Sequence, residues 1–300
     1  MRISQLLLLV FMASLAPGAF SQEMEARAYS PSPVGASVIV FVYTHQSGDV
    51  LLDPALPLKD VSTSINGTAF GYGRTFALAG RQANVSAALP YVWARVKGTV
   101  FEQQQEVTRS GLGDIRARLT INLMGSPALN PREFAARKPT TLLGASLTVA
   151  APTGQYDPRR LVNLGANRWA FKPEIGLSQP LGRWTLEAIG GAWFFTENKN
   201  FFGGSRREQR PLVSVQGHVI YTLRPRMWVA FGATYFTGGR TTVDGVLNAD
   251  LQKTSRIGAT YSFPVTKRHS LKVAWSKGVT TLVGGDINAV TVGYQYVWFK

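Results

Sequence analysis

The side chains that could do chemistry recur at two-residue intervals. Asp114, Arg116 and Arg118 share one phase of one segment, and Lys172 and Glu174 share one phase of another. Arg74, Glu187, His218, Arg256 and Lys272 hold the polar phase of theirs. Residues two apart along an extended chain point the same way, so each set is aimed at one surface. If the sheet closes, that surface is a lumen, and these ten are its lining candidates. Two outcomes are open. The charges could pair across the interior and fill it as a salt-bridge network. Alternatively, six bases against three acids leave an electropositive passage that favours anions such as aromatic carboxylates or phenolates.

Other chemistries find less support. There is no cysteine, which removes disulfides, thiolate metal sites and thiol catalysis. The histidines are His45, His218 and His269. His218 shares its phase with Ser214 and Gln216, but no carboxylate stands at triad spacing, so a barrel hydrolase is the least favoured reading. Asp157, Asp244 and Asp250 sit beside turn formers, as in Asp157-Pro158 and Asp244-Gly245, which is turn chemistry. The expectation is no enzyme, no metal and no cofactor. Phe201 and Phe202, ahead of two glycines, and Tyr156 in another long loop could gate a mouth or simply pack their loops.

The elements that must position these groups are strands. Ile115, Ala117, Leu119, Ile121 and Leu123 oppose Asp114, Arg116, Arg118, Thr120 and Asn122, a separation that a strand makes and a helix does not. The pattern predicts strands over 34–45, 61–75, 82–93, 112–124, 140–152, 168–178, 183–195, 211–223, 227–237, 254–264, 269–278 and 288–299. Short connections alternate with long ones at 46–60, 94–111, 153–167, 196–210, 238–253 and 279–287. A longer stretch on the short side, 125–139, carries Asn130, Pro131 and Glu133, which predict a helix near 131–137.

Composition agrees. Mean hydropathy near zero with 45% hydrophobic and only 16% charged residues fits strands with one face toward lipid and one toward water. The net charge of +15 belongs partly to the lumen and partly to loop residues such as Arg159, Arg160, Arg206, Arg207, Arg210, Arg240 and Lys253. Those loops suit lipopolysaccharide phosphates. No basic helix or nucleic-acid motif accompanies the charge, so no nucleic-acid partner is expected.

Met1-Arg2, the apolar run 6–15 and Ala19-Phe20-Ser21 have the layout of a secretory signal peptide, 1–21, too short to span a bilayer. Residues 22–300 then form a single domain. The fold expected is all-β, a transmembrane antiparallel up-and-down β-barrel of about 12 strands (range 10–14) in the bacterial outer membrane. A soluble β-sandwich is the competing architecture. Aromatics near strand ends, among them Tyr91, Trp93, Trp169, Trp184, Tyr235, Tyr296 and Trp298, favour the barrel. The last strand, with Tyr294, Tyr296 and Trp298 in alternation, suits recognition by barrel-insertion machinery, although Phe299-Lys300 departs from a terminal aromatic.

Several segments resemble a known group: 48–54 (GDVLLDP), 109–114 (RSGLGD), 151–156 (APTGQY), 163–173 (NLGANRWAFKP), 184–187 (WTLE), 201–204 (FFGG), 216–218 (QGH) and 235–245 (YFTGGRTTVDG). Together they resemble the phenol-degradation MetA-pathway family of outer-membrane barrels. The resemblance implies a channel or transporter and no catalytic residues. The function expected is passive passage of small, aromatic or hydrophobic solutes. The alternative is a non-conducting structural or surface-interaction barrel.

Overall fold

The computed structural model describes residues 24–51, 58–100, 103–160, 162–281 and 283–299. The expected signal peptide, 1–21, lies outside them. The alternating segments form strands, in chain order β1 (Ala36–Leu51), β2 (Leu58–Leu78), β3 (Arg81–Val100), β4 (Gln103–Leu112) and β5 (Arg116–Met124). Then follow a short helix α1 (Pro131–Ala135), β6 (Leu142–Ala150), β7 (Ala170–Leu181), β8 (Trp184–Phe195), β9 (Asn198–Phe201) and β10 (Ser205–Gln209). The chain ends with β11 (Leu212–Arg224), β12 (Met227–Gly238), β13 (Thr241–Val243), β14 (Val246–Leu247), β15 (Gln252–Pro264), β16 (His269–Thr281) and β17 (Gly284–Phe299).

Every neighbouring pair is antiparallel, and β17 returns to β1 with Ala36 opposite Phe299. β3 pairs with β4 along one half, Tyr91 opposite Leu112, and with β5 along the other, Ala83 opposite Ile121. β4 and β5 are therefore one barrel position, interrupted at 113–115. Counted so, the sheet is a closed barrel of twelve strands. Closure leaves no open edge, which is the condition for a sheet to cross a membrane. No helix among the described residues is long and apolar enough to do so.

The apolar phase faces outward. Phe41, Phe70, Ile175, Val215 and Phe231 are all exposed, Phe231 to 66%. Aromatic pairs flank this band: Tyr72 with Trp298 and Trp184 with Tyr221 toward the short-turn end, and Tyr91 with Trp93 above them. An apolar belt edged by Trp and Tyr is the surface that a bilayer matches.

Two expectations are corrected. Residues 46–51 and 58–60 extend β1 and β2, and 94–100 and 103–111 extend β3 and β4, as ladders continuing past the barrel. Gly48 and Asp49, inside the expected connection 46–60, both pair with β17. The long connections 196–210 and 238–253 are likewise not irregular. β9, β10, β13 and β14 in them form a second, four-stranded sheet over the long-loop end. At the opposite end α1 starts as its cap residues require: the Asn130 side chain accepts from the backbone N–H of Arg132 and Glu133, and Glu133 accepts from Asn130 N–H.

Candidate functional site

The lumen is walled by the polar phase of the strands. Arg116 and Arg118 on β5, Lys172 and Glu174 on β7, Glu187 on β8, His218 on β11, Arg256 on β15 and Lys272 on β16 face inward. Lys172 is fully buried, and its Nζ lies 2.8 Å from Glu174 Oε1. Arg118 approaches the other Glu174 oxygen at 3.5 Å and donates to Ser146 Oγ. One carboxylate thus holds two cations, one from its own strand and one from β5 on the far side of β6. Arg256 donates to the Ile287 carbonyl oxygen at 2.7 Å and to Ser276 Oγ at 3.2 Å.

Residues 24–35 supply what the strand pattern does not show. This stretch precedes β1 and lies inside the barrel. Its lower end is tied where Val34 N–H donates to Leu129 O and Gly35 N–H to Thr75 O. Higher up, Tyr29 is 3% exposed, with its hydroxyl 3.1 Å from Ser146 Oγ. Arg27 N–H donates to Glu187 Oε2, and Arg27 Nη2 donates to Thr222 Oγ1, both at 2.8 Å. Ala26 packs with the inward-facing Ile220, Trp228 and Ala230. Glu25 meets Arg118 Nη1 at 3.1 Å. With this segment included, the cations Arg27, Arg116, Arg118, Lys172, Arg256 and Lys272 stand against the carboxylates Glu25, Glu174 and Glu187. Among the described residues the two outcomes the charges left open are combined: a salt-bridge network partly fills the lumen, and these six cations outnumber the three carboxylates.

A cavity of about 300 Å³ is left between residues 24–26 and the wall. Val42, Ala230 and Ala274 give it apolar surface, and His218, Lys272 and Thr260 give it polar surface. The His218 imidazole lies against Gly232, where a Cβ would collide with it. Glu187 is directly opposite His218 in the sheet. Its oxygens accept from Arg27 N–H and Ser178 Oγ. Lys272 Nζ sits 5.9 Å from the centre of the Trp228 ring.

Two assignments change, and the loop aromatics take the packing role that stood beside the gate. Arg74 is opposite Ser37 and Val85 on the outward face, exposed beside Tyr72, and does not line the lumen. The reason is phase: on β2 the inward side is Val61, Thr63, Ile65 and Gly67, leaving the even-numbered residues outside. Asp114 falls in the break between β4 and β5, and its carboxylate accepts from Gly154 N–H and Ala166 N–H, each at 2.9 Å. It staples the loop 151–169 to the barrel. Phe201 is 3% exposed and packs with Val243 and Phe202 inside the second sheet. Tyr156 accepts from Asn198 Nδ2 at 3.0 Å and donates to Asn200 O at 3.1 Å. These three aromatics bind the long loops into a cap.

Outside the barrel wall the loops hold local ion pairs. Asp157 takes hydrogen bonds from the Arg159 side chain and backbone, which pull its carboxyl down to about 2. Among the described residues no group of three or more His, Asp or Glu side chains could hold a metal ion.

The family described as "MetA-pathway of phenol degradation" matches residues 42–285. Among solved structures, an outer-membrane channel from Pseudomonas putida F1 superimposes with a TM-score of 0.77 at 23% identity, covering 92% of this chain and 100% of that one. The transport unit of the autotransporter AIDA-I from Escherichia coli gives 0.57 at 10% identity over 96% and 97% of the two chains. The β domain of the Bordetella autotransporter BrkA gives 0.53 at 12% identity over 88% and 100%. At these identities the likeness is one of fold: the twelve-stranded barrel. No curated protein matches the sequence.

Proposed function

The chain belongs to the MetA-pathway phenol-degradation family, and from that premise we propose that it is a passive outer-membrane channel for small aromatic or hydrophobic solutes. The observation that carries this reading is the 300 Å³ cavity beside residues 24–26, at the lower end of the range of small-molecule pockets. Its mixed lining suits a compact, mostly apolar solute. The apolar outer belt supports a bilayer setting, and in this reading the short turns face the periplasm and the capped, arginine-rich loops face lipopolysaccharide. The aromatic alternation of β17 suits the insertion machinery. No step of this activity calls for a cofactor or an energy source.

One observation favours a second reading, a non-conducting structural or surface-interaction barrel: residues 24–35 and the Lys172–Glu174–Arg118–Glu25 chain occupy much of the lumen. Purified protein in planar bilayers separates the two. The channel gives discrete steps with anion preference, diminished in Arg116→Ser/Arg118→Ser. Silent bilayers, with solute uptake unchanged on deletion of the gene, leave only the second reading.

A further inference from the structure

Where β7 and β8 approach the long loops, the lumen wall carries two near-parallel rings. Trp193 and Phe195, two residues apart on β8, both face inward, with centroids 6.3 Å apart and planes 16° from parallel. A cation stands at each end of this shelf. Lys172 Nζ is 5.9 Å from the Trp193 centroid, and the Arg168 guanidinium is 4.4 Å from the Phe195 centroid. The register explains the arrangement: Ala170 is opposite Phe195, so the chain entering β7 runs Arg168 alongside that ring. Beyond it, in the cap, Arg207 lies 5.2 Å over Phe201 and is 8% exposed.

Unsatisfied donors border the rings. Trp193 is 4% exposed, and its Nε1–H is buried without an acceptor. Arg168 donates through Nη2 to Gln209 Oε1, while its Nη1 is buried without a partner. Among the described residues no carboxylate lies within ion-pair distance of Arg168. A buried donor with no acceptor is a standing deficit that a bound acceptor removes. Aromatic surface, the Arg168 guanidinium and two idle donors together complement a flat ligand whose polar end only accepts hydrogen bonds.

We propose that the Trp193–Phe195 shelf and Arg168 form a binding site for a planar aromatic carboxylate. The ligand's ring lies against Phe195 and Trp193, and its carboxylate takes the Arg168 fork and the Trp193 N–H. A neutral aromatic alcohol offers a single acceptor oxygen and leaves the guanidinium charge unmatched. An aliphatic or inorganic anion would leave the rings uncovered, and fork-to-carboxylate geometry is what arginine supplies and a point charge does not. The site rests on the channel reading above, which brings solute past the shelf.

The experiment measures binding and conduction separately on the full chain. Benzoate, benzyl alcohol and cyclohexanecarboxylate are titrated calorimetrically into protein in detergent micelles, and the same protein is then placed in planar bilayers. Expected is saturable benzoate binding that exceeds both comparison compounds. Arg168→Gln should weaken benzoate by about tenfold or more, the worth of a charge-assisted fork, and leave benzyl alcohol unchanged. Phe195→Leu should narrow the gap between benzoate and cyclohexanecarboxylate. Benzoate that binds no better than benzyl alcohol in the unaltered protein overturns the site, and that comparison needs no variant to fold. Equal benzoate affinity in Arg168→Gln overturns it too. Benzoate binding in a barrel that passes no current retains the site and sinks the channel; current without benzoate binding does the reverse.

Discussion

Gly144 on β6 and Gly176 on β7 stand directly opposite each other, and the Tyr29 ring lies over both. A Cβ at either position would overlap that ring. Two facing glycines make a patch of wall with no side chains, and that patch is the seat of the segment inside the lumen. The tyrosine hydroxyl then reaches Ser146, two residues along β6 from Gly144. The wall and the segment are therefore one fitted unit.

Gly176→Val should unseat Tyr29 while sparing the barrel, whose pairing does not depend on that glycine's conformation. The lost burial of one aromatic amounts to about 2 kcal/mol, which a closed barrel withstands. Larger single-channel steps are expected, and Tyr29→Ala should reproduce them. Steps of unaltered size in both variants would show that residues 24–35 do not limit the passage.

The pair Lys172–Glu174 predicts an asymmetry. Glu174→Gln leaves the fully buried Lys172 and part of Arg118 without their shared anion, which should lower stability by roughly 3–5 kcal/mol. Lys172→Met/Glu174→Gln removes both charges and should recover most of that loss. The urea midpoint of unfolding in micelles measures it. A double variant as unstable as the single one means that the pair is not what the position requires.

Legibility in the sequence followed side-chain period. Strands such as β5 and β11 alternate over most of their length, broken only at Met124 and at the inward Ile220, so their existence, their count and the inward set Arg116, Arg118, Lys172, Glu174 and His218 could be read directly. Arg74 could not. On β2 the inward Ile65 is apolar because it packs with Val92, Ala94 and Leu164 in the core of the long-loop end, and the inward Val61 lies against Gly98, which inverts the hydrophobic signal there. Residues 24–35 have no period at all, because they pack as an irregular chain. Their signal was composition: Glu25, Arg27 and Tyr29 in a stretch too polar to be a strand toward lipid and tied to nothing local. The Trp193–Arg168 arrangement needed the β7–β8 register, which no sequence spacing reports.

The loop 151–169 should keep its shape in mild acid, down to about pH 4. Arg159 holds the Asp157 carboxyl at about 2, below its ordinary value of 3.8. A carboxylate depressed by folding stabilises above its unfolded value, and that contribution disappears as pH falls toward the folded one. The loop thus begins to weaken below about 4 and loses the contribution near 2. Amide exchange at Arg159, whose N–H donates to Asp157, should remain slow at pH 5 and accelerate between 4 and 2 beyond its intrinsic rate. Asp157→Asn should abolish that acceleration and open the bond between Arg159 and Arg160 to trypsin at neutral pH. Protection independent of pH and unaffected in Asp157→Asn would assign the loop's order to the Asp114 staple alone.

The outward face makes the membrane claim quantitative by depth. Phe231 is opposite Val219 and Ala259, near the middle of the belt. Arg74 is near the short-turn rim, next to Tyr72 and close to the Tyr72–Trp298 pair. Phe231→Arg puts a cation at mid-depth and should cost about 2–4 kcal/mol in lipid vesicles. Arg74→Ala removes a cation that already reaches the interface and should change stability by under about 1 kcal/mol. Equilibrium unfolding in vesicles compares the two on one scale. In a soluble β-sandwich the outer face meets water, and Phe231→Arg would be neutral or would improve solubility. A large loss at 231 with little change at 74 is therefore the signature of a bilayer, and near-equal small effects would remove the barrel from the membrane.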